Sequence, residues 1–180
     1  GVDDMLAAME NGDLEVMKLW DATRKWSMDD FKAIYEYLDV RFDKYFFESE
    51  CSSKSKEIVN EYLEKGVLIE SDGAIGADLK KYKLGFCMLL KSNGCGLYAT
   101  KDIELAHQKF DNYNIDKAVY VVDMSQTLHF KQVFKTLELM GYQQAKKCYH
   151  LPYGIVTLPS GKMGSRYGNV IYFSMLKEQL

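Results

Sequence analysis

The sequence predicts an α/β fold with a parallel sheet in the second half of the chain, and two observations carry this prediction. Residues 118–122 form a continuous apolar run, Ala-Val-Tyr-Val-Val, which is typical of a buried parallel strand. From Cys87 onward, strand and helix patterns alternate, as they do when right-handed crossovers connect parallel strands. Ligands of such sheets bind beyond the carboxyl ends of the strands, so the segments that follow the strands are candidates for function.

The first forty residues predict helices. Apolar residues recur at helical spacing from about Asp4 to Asp39, and the turn Asn11-Gly12-Asp13 interrupts them. Ser27 precedes two aspartates at positions 29 and 30, which predicts the start of a second helix. The apolar stripes of both segments favour a role in packing rather than in chemistry.

The next part of the chain predicts a small α+β region. Val40–Phe47 alternates and is rich in aromatic residues, as strands are, whereas Ser53–Lys65 has helical periodicity and Gly66 follows as a helix stop. Residues 67–79 predict a hairpin about the turn Asp72-Gly73. We therefore place a domain boundary after residue 85. Residues 1–85 would hold the helical segment and an α+β insert, and residues 86–180 the parallel-sheet fold.

Beyond residue 85 the pattern is simpler. Met88–Leu90 predicts a strand, and helical periodicity marks Asp102–Tyr113 and Leu128–Met140, the latter closed by Gly141. Two polar segments lie where strands are expected to end. One is 98–102, before the first of these helices, and the other is 123–129, before the second.

Composition limits the possible functions. The chain has 180 residues, of which 47% are apolar and 27% charged, so it is globular and is neither disordered, collagenous nor a disulfide scaffold. Its net charge of −3 means that a surface for a polyanion would have to be local. Four cysteines without a C-x-x-C pair, and three histidines far apart, predict no protein-bound metal. The cysteine usage and the lack of a long apolar run or signal peptide predict a cytoplasmic protein without a membrane partner.

The segment 158–171, Leu-Pro-Ser-Gly-Lys-Met-Gly-Ser-Arg-Tyr-Gly-Asn-Val-Ile, is the most informative. Glycines flank Lys162, Ser165 and Arg166, so the segment offers two cations and a hydroxyl on a mobile loop. Such a loop can close over a polyphosphate and neutralise charge that develops in a transition state. A basic surface hairpin would have the same composition, and the segment alone leaves both interpretations open.

This loop resembles the K-M-S-K-S signature of class I aminoacyl-tRNA synthetases, and the rest of the chain is similar to arginyl-tRNA synthetases. The similar segments keep the family's order over nearly the whole chain; they include residues 47–49, 70–74, 97–102, 120–122, 126–130, 137–142 and 151–156. The resemblance implies a Rossmann-type catalytic domain. This chain would contribute its connective insert and the second half of its nucleotide fold.

The chain departs from the family pattern in two ways. Gly164 stands where the signature usually has serine and Tyr167 where lysine is common, and each change removes a phosphate ligand. The H-x-G-H motif of the first half of the nucleotide fold does not occur in this sequence. We therefore expect a catalytic-domain fragment that is inactive alone. A stand-alone, non-catalytic relic that binds a protein or tRNA partner is the alternative, and a synthetase of another specificity is a third hypothesis.

The resemblance implies ATP-dependent activation of L-arginine and its transfer to tRNA-Arg. Asp102 and Glu48 would accept hydrogen bonds from the guanidinium, Tyr98 would add a hydroxyl, and Gln126 would hold the amino or carboxylate end. The residues implied for ATP are His129, Tyr153, Gly154, Ile155, Val156, Lys162 and Met163. In catalysis Lys162, Ser165 and Arg166 would steady the phosphates, with Mg²⁺ held mainly by ATP.

Overall fold

The computed structural model describes residues 4–5, 8–9, 11–155, 157–158, 161–164 and 170–179. Its contacts divide the chain into two compact units, residues 1–45 with 165–180, and residues 46–164. In the described ranges, no helix has both the length and the apolar character needed to cross a membrane. The boundary expected after residue 85 concerns the organisation of a larger catalytic domain and stays a prediction.

The first unit is built on one long helix, α1 (Leu14–Tyr37). The Asp13 carboxylate caps it by accepting hydrogen bonds from the backbone N–H groups of Glu15 and Val16 at 3.1 and 3.0 Å, which confirms the predicted break before it. The predicted second start at Ser27 is wrong, because the helix runs straight through this residue. No Gly or Pro interrupts α1, and a serine inside a helix costs only a few tenths of a kcal/mol, about 0.5.

The predicted strand at 40–47 is also wrong, since this described segment is irregular. Two of its aromatic rings pack within the first unit instead, since the Phe42 ring lies 4.7 Å from that of Tyr35 and 5.7 Å from that of Tyr45. The Phe46 ring lies 5.8 Å from that of Tyr113 in the second unit. A short helix, α5 (Phe173–Lys177), places the Phe173 ring 5.6 Å from that of Tyr37 in the first unit. The aromatic alternation that suggests a strand here therefore serves ring packing.

The second unit begins with the predicted α+β region. Helix α2 (Ser52–Glu64) is followed by a three-stranded antiparallel sheet, β1 (Ile69–Ser71), β2 (Ala74–Asp78) and β3 (Phe86–Leu90). The hairpin at Asp72-Gly73 is confirmed, with both residues at positive φ. At Gly76 a Cβ atom would lie 2.2 Å from the carbonyl oxygen of Cys87, so the close approach of β2 to β3 requires glycine there.

Strand β3 confirms the prediction at 88–90, but it pairs with the hairpin rather than with the parallel strands. The parallel pair consists of β4 (Ala118–Asp123) and β5 (Cys148–Tyr153), joined by α4 (Thr127–Leu139). This β–α–β unit confirms the α/β fold. Helix α3 (Tyr98–Asn112) connects the two sheets and starts four residues before its predicted beginning at Asp102.

The burial expected for β4 holds on one face only. Ala118 and Tyr120 pack against Phe130 of α4, whereas Val119 and Val121 are 49% and 62% exposed. An apolar run can be covered on both faces only if elements lie on both faces of its sheet. Here α4 covers one face, and no described residue buries the other.

Candidate functional site

The first turn of α3 is anchored to the end of β3. The fully buried Thr100 hydroxyl donates a hydrogen bond to the carbonyl oxygen of Leu89 and accepts one from the backbone N–H of Leu97 at 3.2 Å. Its bond to Leu97 also satisfies the N–H of the residue before the helix, which explains why α3 starts earlier than its apolar periodicity suggests. Tyr98 and Asp102 consequently lie four residues apart on one face of a fixed helix end.

Asp102 meets His129 across the two helices. The imidazole Nε2 of His129, in the first turn of α4, lies 2.6 Å from Oδ2 of Asp102, and both side chains are 25% exposed. An ionised carboxylate can only accept, so Nε2 carries the hydrogen and donates. The structure therefore joins two predicted site residues that the sequence separates by 27 positions.

Glu48 is brought to the same end of α3. It opens a single 3₁₀ turn (Glu48–Glu50), and its carboxylate is paired with the Lys101 ammonium, one residue before Asp102. Tyr98 has its side chain in solvent, being 74% exposed. We call the side chains of Tyr98, Asp102 and Glu48, all of which lie at the N-terminal end of α3, the acidic cluster; Glu48 reaches this end through its pairing with Lys101.

Sequence reasoning missed the side chains that fix α3 to α2. Glu104 is fully buried; its Oε1 accepts a hydrogen bond from Gln108 at 3.0 Å and lies 3.7 Å from the Lys54 ammonium. Its Oε2 has no hydrogen-bond partner among the described residues. Lys101, Glu104 and Gln108 recur at helical spacing, but a polar stripe of this kind is usually a solvated face, so only the packing reveals its role.

Carboxylates near the start of α3 affect the pKa values of two neighbouring groups. Burial raises the pKa of the Cys51 thiol, and the nearby carboxylates of Glu104, Glu50 and Asp102 raise it further. Burial lowers the pKa of Lys109, and the charge of Asp102 opposes that shift. Burial is the largest cause of both shifts, and the carboxylates add a smaller negative contribution that the Lys101 charge offsets in part at Cys51.

The residues implied for the nucleotide lie at the carboxyl end of the parallel pair. Asp123 ends β4, and its carboxylate accepts a hydrogen bond from the backbone N–H of Ser125 at 2.8 Å, which starts the 3₁₀ turn that ends at Gln126. Tyr153 is the register partner of Asp123 on β5. Gln126, Tyr153 and the two residues after Tyr153, Gly154 and Ile155, are exposed.

The first part of the signature segment is a hairpin, β6 (Thr157–Leu158) with β7 (Gly161–Lys162). Met163, which follows it, is exposed, and for Lys162 only the backbone is described. Val156, Ser165 and Arg166 lie outside the described residues, as does Tyr167. Their predicted roles therefore stay predictions.

The other two histidines serve packing. His150 donates from Nε2 to the carbonyl oxygen of Val122 at 2.9 Å, and its ring lies 4.8 Å from that of Phe130. The His107 ring lies 4.0 Å from that of Tyr142. Among the residues whose positions are described, no group of three or more His, Cys, Asp or Glu side chains could hold a metal ion.

The family of the chain follows from its sequence as a whole. Residues 2–180 match the family model described as class I tRNA synthetases (R), catalytic domain. The chain belongs to this family. The predicted resemblance is thus confirmed over almost the entire length, and the acidic cluster and the sheet end described above are parts of its catalytic domain.

Individual relatives agree with this assignment. The chain is 56% identical to an arginine–tRNA ligase of Bdellovibrio bacteriovorus over 153 residues, which are 85% of the chain and 26% of that protein. It is 41% identical to an arginine–tRNA ligase of Clostridium acetobutylicum over 173 residues, 96% of the chain and 31% of the relative. The chain therefore spans between a quarter and a third of these proteins.

Solved structures show the same fold. The arginyl-tRNA synthetase of Plasmodium falciparum superposes with a TM-score of 0.75 at 22% identity, covering 84% of this chain and 27% of that one. The synthetase of Thermus thermophilus superposes with a TM-score of 0.65 at 21% identity, covering 95% and 37%. The mixed α/β architecture of the chain is thus that of a synthetase catalytic domain, as predicted.

Proposed function

We propose that the chain forms the arginine-recognising part of the catalytic domain of an arginine–tRNA ligase, which activates L-arginine with ATP and transfers it to tRNA-Arg. The observation that carries the proposal is the acidic cluster at the N-terminal end of α3. There Asp102 is held by His129 at 2.6 Å, Tyr98 shares its helix face, and Lys101 brings Glu48 to the same place.

The chemistry of arginine explains why such a cluster is needed. A guanidinium is planar and always charged, and it presents its N–H donors in a fork that matches a carboxylate. Lysine presents a compact ammonium that cannot satisfy two acceptors in one plane. Asp102 and Glu48 would accept from the fork, Tyr98 would add a hydroxyl, and Gln126 would hold the amino or carboxylate end.

ATP would lie at the carboxyl end of β4 and β5, the usual ligand position in such a sheet. Tyr153, Gly154, Ile155 and Val156 would contact adenine, while Lys162, Met163, Ser165 and Arg166 would face the phosphates, with Mg²⁺ carried by ATP. Adenylate formation needs positioning and charge neutralisation, so none of these residues acts as a general base.

The chain alone would be inactive, because the relatives it matches are three to four times longer and would complete the ATP and tRNA sites. The complete protein would work in the cytoplasm. The four cysteines of this chain are free thiols, as is usual in a reducing compartment.

The test is aminoacylation by the complete protein that contains this chain, with radiolabelled arginine or lysine and tRNA. We expect charging with arginine only, and a loss of kcat/KM of about 100-fold or more in Asp102→Asn, because a charged ligand would lose its ionised partner. Asp111→Asn on the same helix is the matched control and should keep full activity.

Charging with another amino acid, or normal arginine charging by Asp102→Asn, would contradict the proposal. Binding of tRNA without any charging would instead favour the non-catalytic, partner-binding alternative.

A further inference from the structure

His129 lies where two rigid helices meet. It is the third residue of α4, and its hydrogen-bond partner Asp102 is the fifth residue of α3. Ile103 of α3 and Val133 and Leu137 of α4 are fully buried in one common core, which holds the helices in a fixed relation. The distance between the imidazole and the carboxylate is therefore set by the fold, not by two free side chains.

The imidazole itself is also oriented. Its ring lies edge-on to the Phe130 ring at 5.2 Å, and Phe130 is buried against Tyr120 of β4 and His150 of β5. With Phe130 on one side and the Asp102 carboxylate 2.6 Å from Nε2, the ring has a defined direction. A side chain held in this way can transmit the geometry of the core to the carboxylate.

The hydrogen bond leaves Asp102 able to bind a ligand. A carboxylate has about four acceptor positions, and Nε2–H occupies one of them on Oδ2. Within the part of the chain that the structure describes, Oδ1 and the second position of Oδ2 remain for the two parallel N–H groups of a guanidinium. The donor thus selects one rotation of the carboxylate plane without consuming its capacity.

From this geometry we infer that His129 is a positioning residue of the arginine pocket and not a nucleotide contact. It fixes the carboxylate plane of Asp102, and this determines the preference of the pocket for a charged guanidinium over a neutral group of the same shape. The inference rests on the proposed function, and it replaces the nucleotide-side role that the sequence suggests for this histidine.

Two substitutions distinguish the effect of the His129 N–H donor from the effect of the side-chain volume. His129→Gln keeps an N–H donor near the place of Nε2, whereas His129→Leu keeps much of the volume and has no donor. The ligands are L-arginine, L-citrulline, which carries a neutral ureido group in place of the guanidinium, and ATP. Each dissociation constant is measured by calorimetry, or by competition where binding is weak, on the complete protein.

We expect His129→Leu to weaken arginine binding about 10- to 100-fold, the usual effect of losing a hydrogen bond to a charged group. Citrulline and ATP should change by less than about threefold, so the ratio of arginine to citrulline affinity falls. His129→Gln should restore most of the arginine affinity, to within about fivefold of the parent.

A loss of ATP affinity with unchanged arginine affinity would overturn the inference in favour of a nucleotide contact. Equal losses for arginine and citrulline would overturn it in favour of a purely structural role. If the parent protein binds ATP and tRNA but no arginine, the proposed function itself fails, and this outcome is visible before any variant is made.

A measurement on the unsubstituted protein covers the case in which His129→Leu does not fold. In ¹⁵N-histidine NMR spectra, the Nε2–H signal of His129 should be slow to exchange with water and should shift on addition of arginine. The inference is contradicted if this signal shifts with ATP alone and does not respond to arginine.

Discussion

Two exposed regions of the second unit differ in how their side chains are satisfied. In the acidic cluster at the N-terminal end of α3, Asp102 and Glu48 each have a charged or hydrogen-bonding partner within the chain. On the outer face of the parallel pair, which we call the open sheet face, the large side chains meet solvent; they are Val119, Val121, Tyr149, Leu151 and Tyr153. One region is polar and organised, and the other is apolar and uncovered.

This difference indicates that the proposed binding of arginine and the proposed binding of ATP depend on different kinds of surface. The proposed arginine recognition would use groups that α3, α4 and the turn at Glu48 already hold. The proposed nucleotide contacts adjoin the open sheet face, since Tyr153 belongs to both. A contiguous apolar patch of this kind marks a surface that binds or packs against something else. The proposed arginine pocket should therefore depend less on parts outside this chain than the proposed nucleotide site does.

The largest expected effect contrasts the covered and open faces of β4. Phe130→Ala removes a ring that packs on Tyr120, Phe134 and His150, and should lower the free energy of unfolding by about 3–5 kcal/mol. Val121→Ala, on the open sheet face, should cost less than about 0.5 kcal/mol. Urea denaturation of the chain measures both, and similar costs would mean that the open sheet face is covered in solution.

That contrast also shows what sequence can predict for this strand. Alternation cannot distinguish the faces of 118–122, because all five residues are apolar. The run correctly predicts a parallel strand, and its helix α4 and closing Gly141 follow as expected. Which face is covered depends on neighbours that are distant in sequence, and local hydrophobicity carries no information about them.

The candidate site divides in the same way. Tyr98, Asp102 and Gln126 could be singled out because they follow strands and stand in recognisable segments. The hydrogen bond between Asp102 and His129 could not, because it depends on the packing of α3 against α4 over 27 positions. The early start of α3 was missed for a related reason: Thr100, a residue with modest helix propensity, is anchored by a tertiary hydrogen bond to β3.

The second prediction sharpens the description of the acidic cluster. Glu48 and Glu50 lie in one 3₁₀ turn, but Glu48 pairs with Lys101, whereas Glu50 reaches the backbone N–H of Phe47 at 3.5 Å. Glu48→Gln should weaken arginine binding about 10-fold, less than Asp102→Asn, because Lys101 already offsets part of its charge. Glu50→Gln is the control. Equal effects of the two changes would remove Glu48 from the pocket.

The third prediction tests whether the open sheet face binds apolar molecules in solution. A fluorescent dye such as ANS binds exposed apolar patches, so the folded chain should bind it. Val121→Thr combined with Leu151→Thr replaces the centre of the face, where the two residues are register partners. We expect dye fluorescence to fall by about half or more, with unchanged circular dichroism. Unchanged fluorescence would place the dye, and the apolar patch, elsewhere.

The smallest expected effect is a dependence of stability on pH that arises on the covered face. Burial raises the pKa of the Cys148 thiol above its ordinary 9.0, although a hydrogen bond from Tyr120 and the charge of Lys109 pull it down in part. Burial likewise raises the pKa of the Tyr120 phenol. Below about pH 8 both groups are protonated whether the chain is folded or unfolded, and stability does not change with their titration.

Above about pH 9 the unfolded chain releases these protons while the folded chain keeps them, so the free energy of unfolding must fall as the pH rises. The lowered pKa of Lys109 acts in the opposite direction in the same range, because the unfolded chain then holds a proton that the folded chain has lost. The difference between the parent and Cys148→Ala isolates the thiol. Urea denaturation at about pH 7.5 and about pH 10 should give a smaller advantage of the parent at the higher pH, by about 1 kcal/mol or less. If the parent instead gains stability over Cys148→Ala as the pH rises, Cys148 is ionised in the folded chain. Water would then reach the face of the sheet that packs against α4.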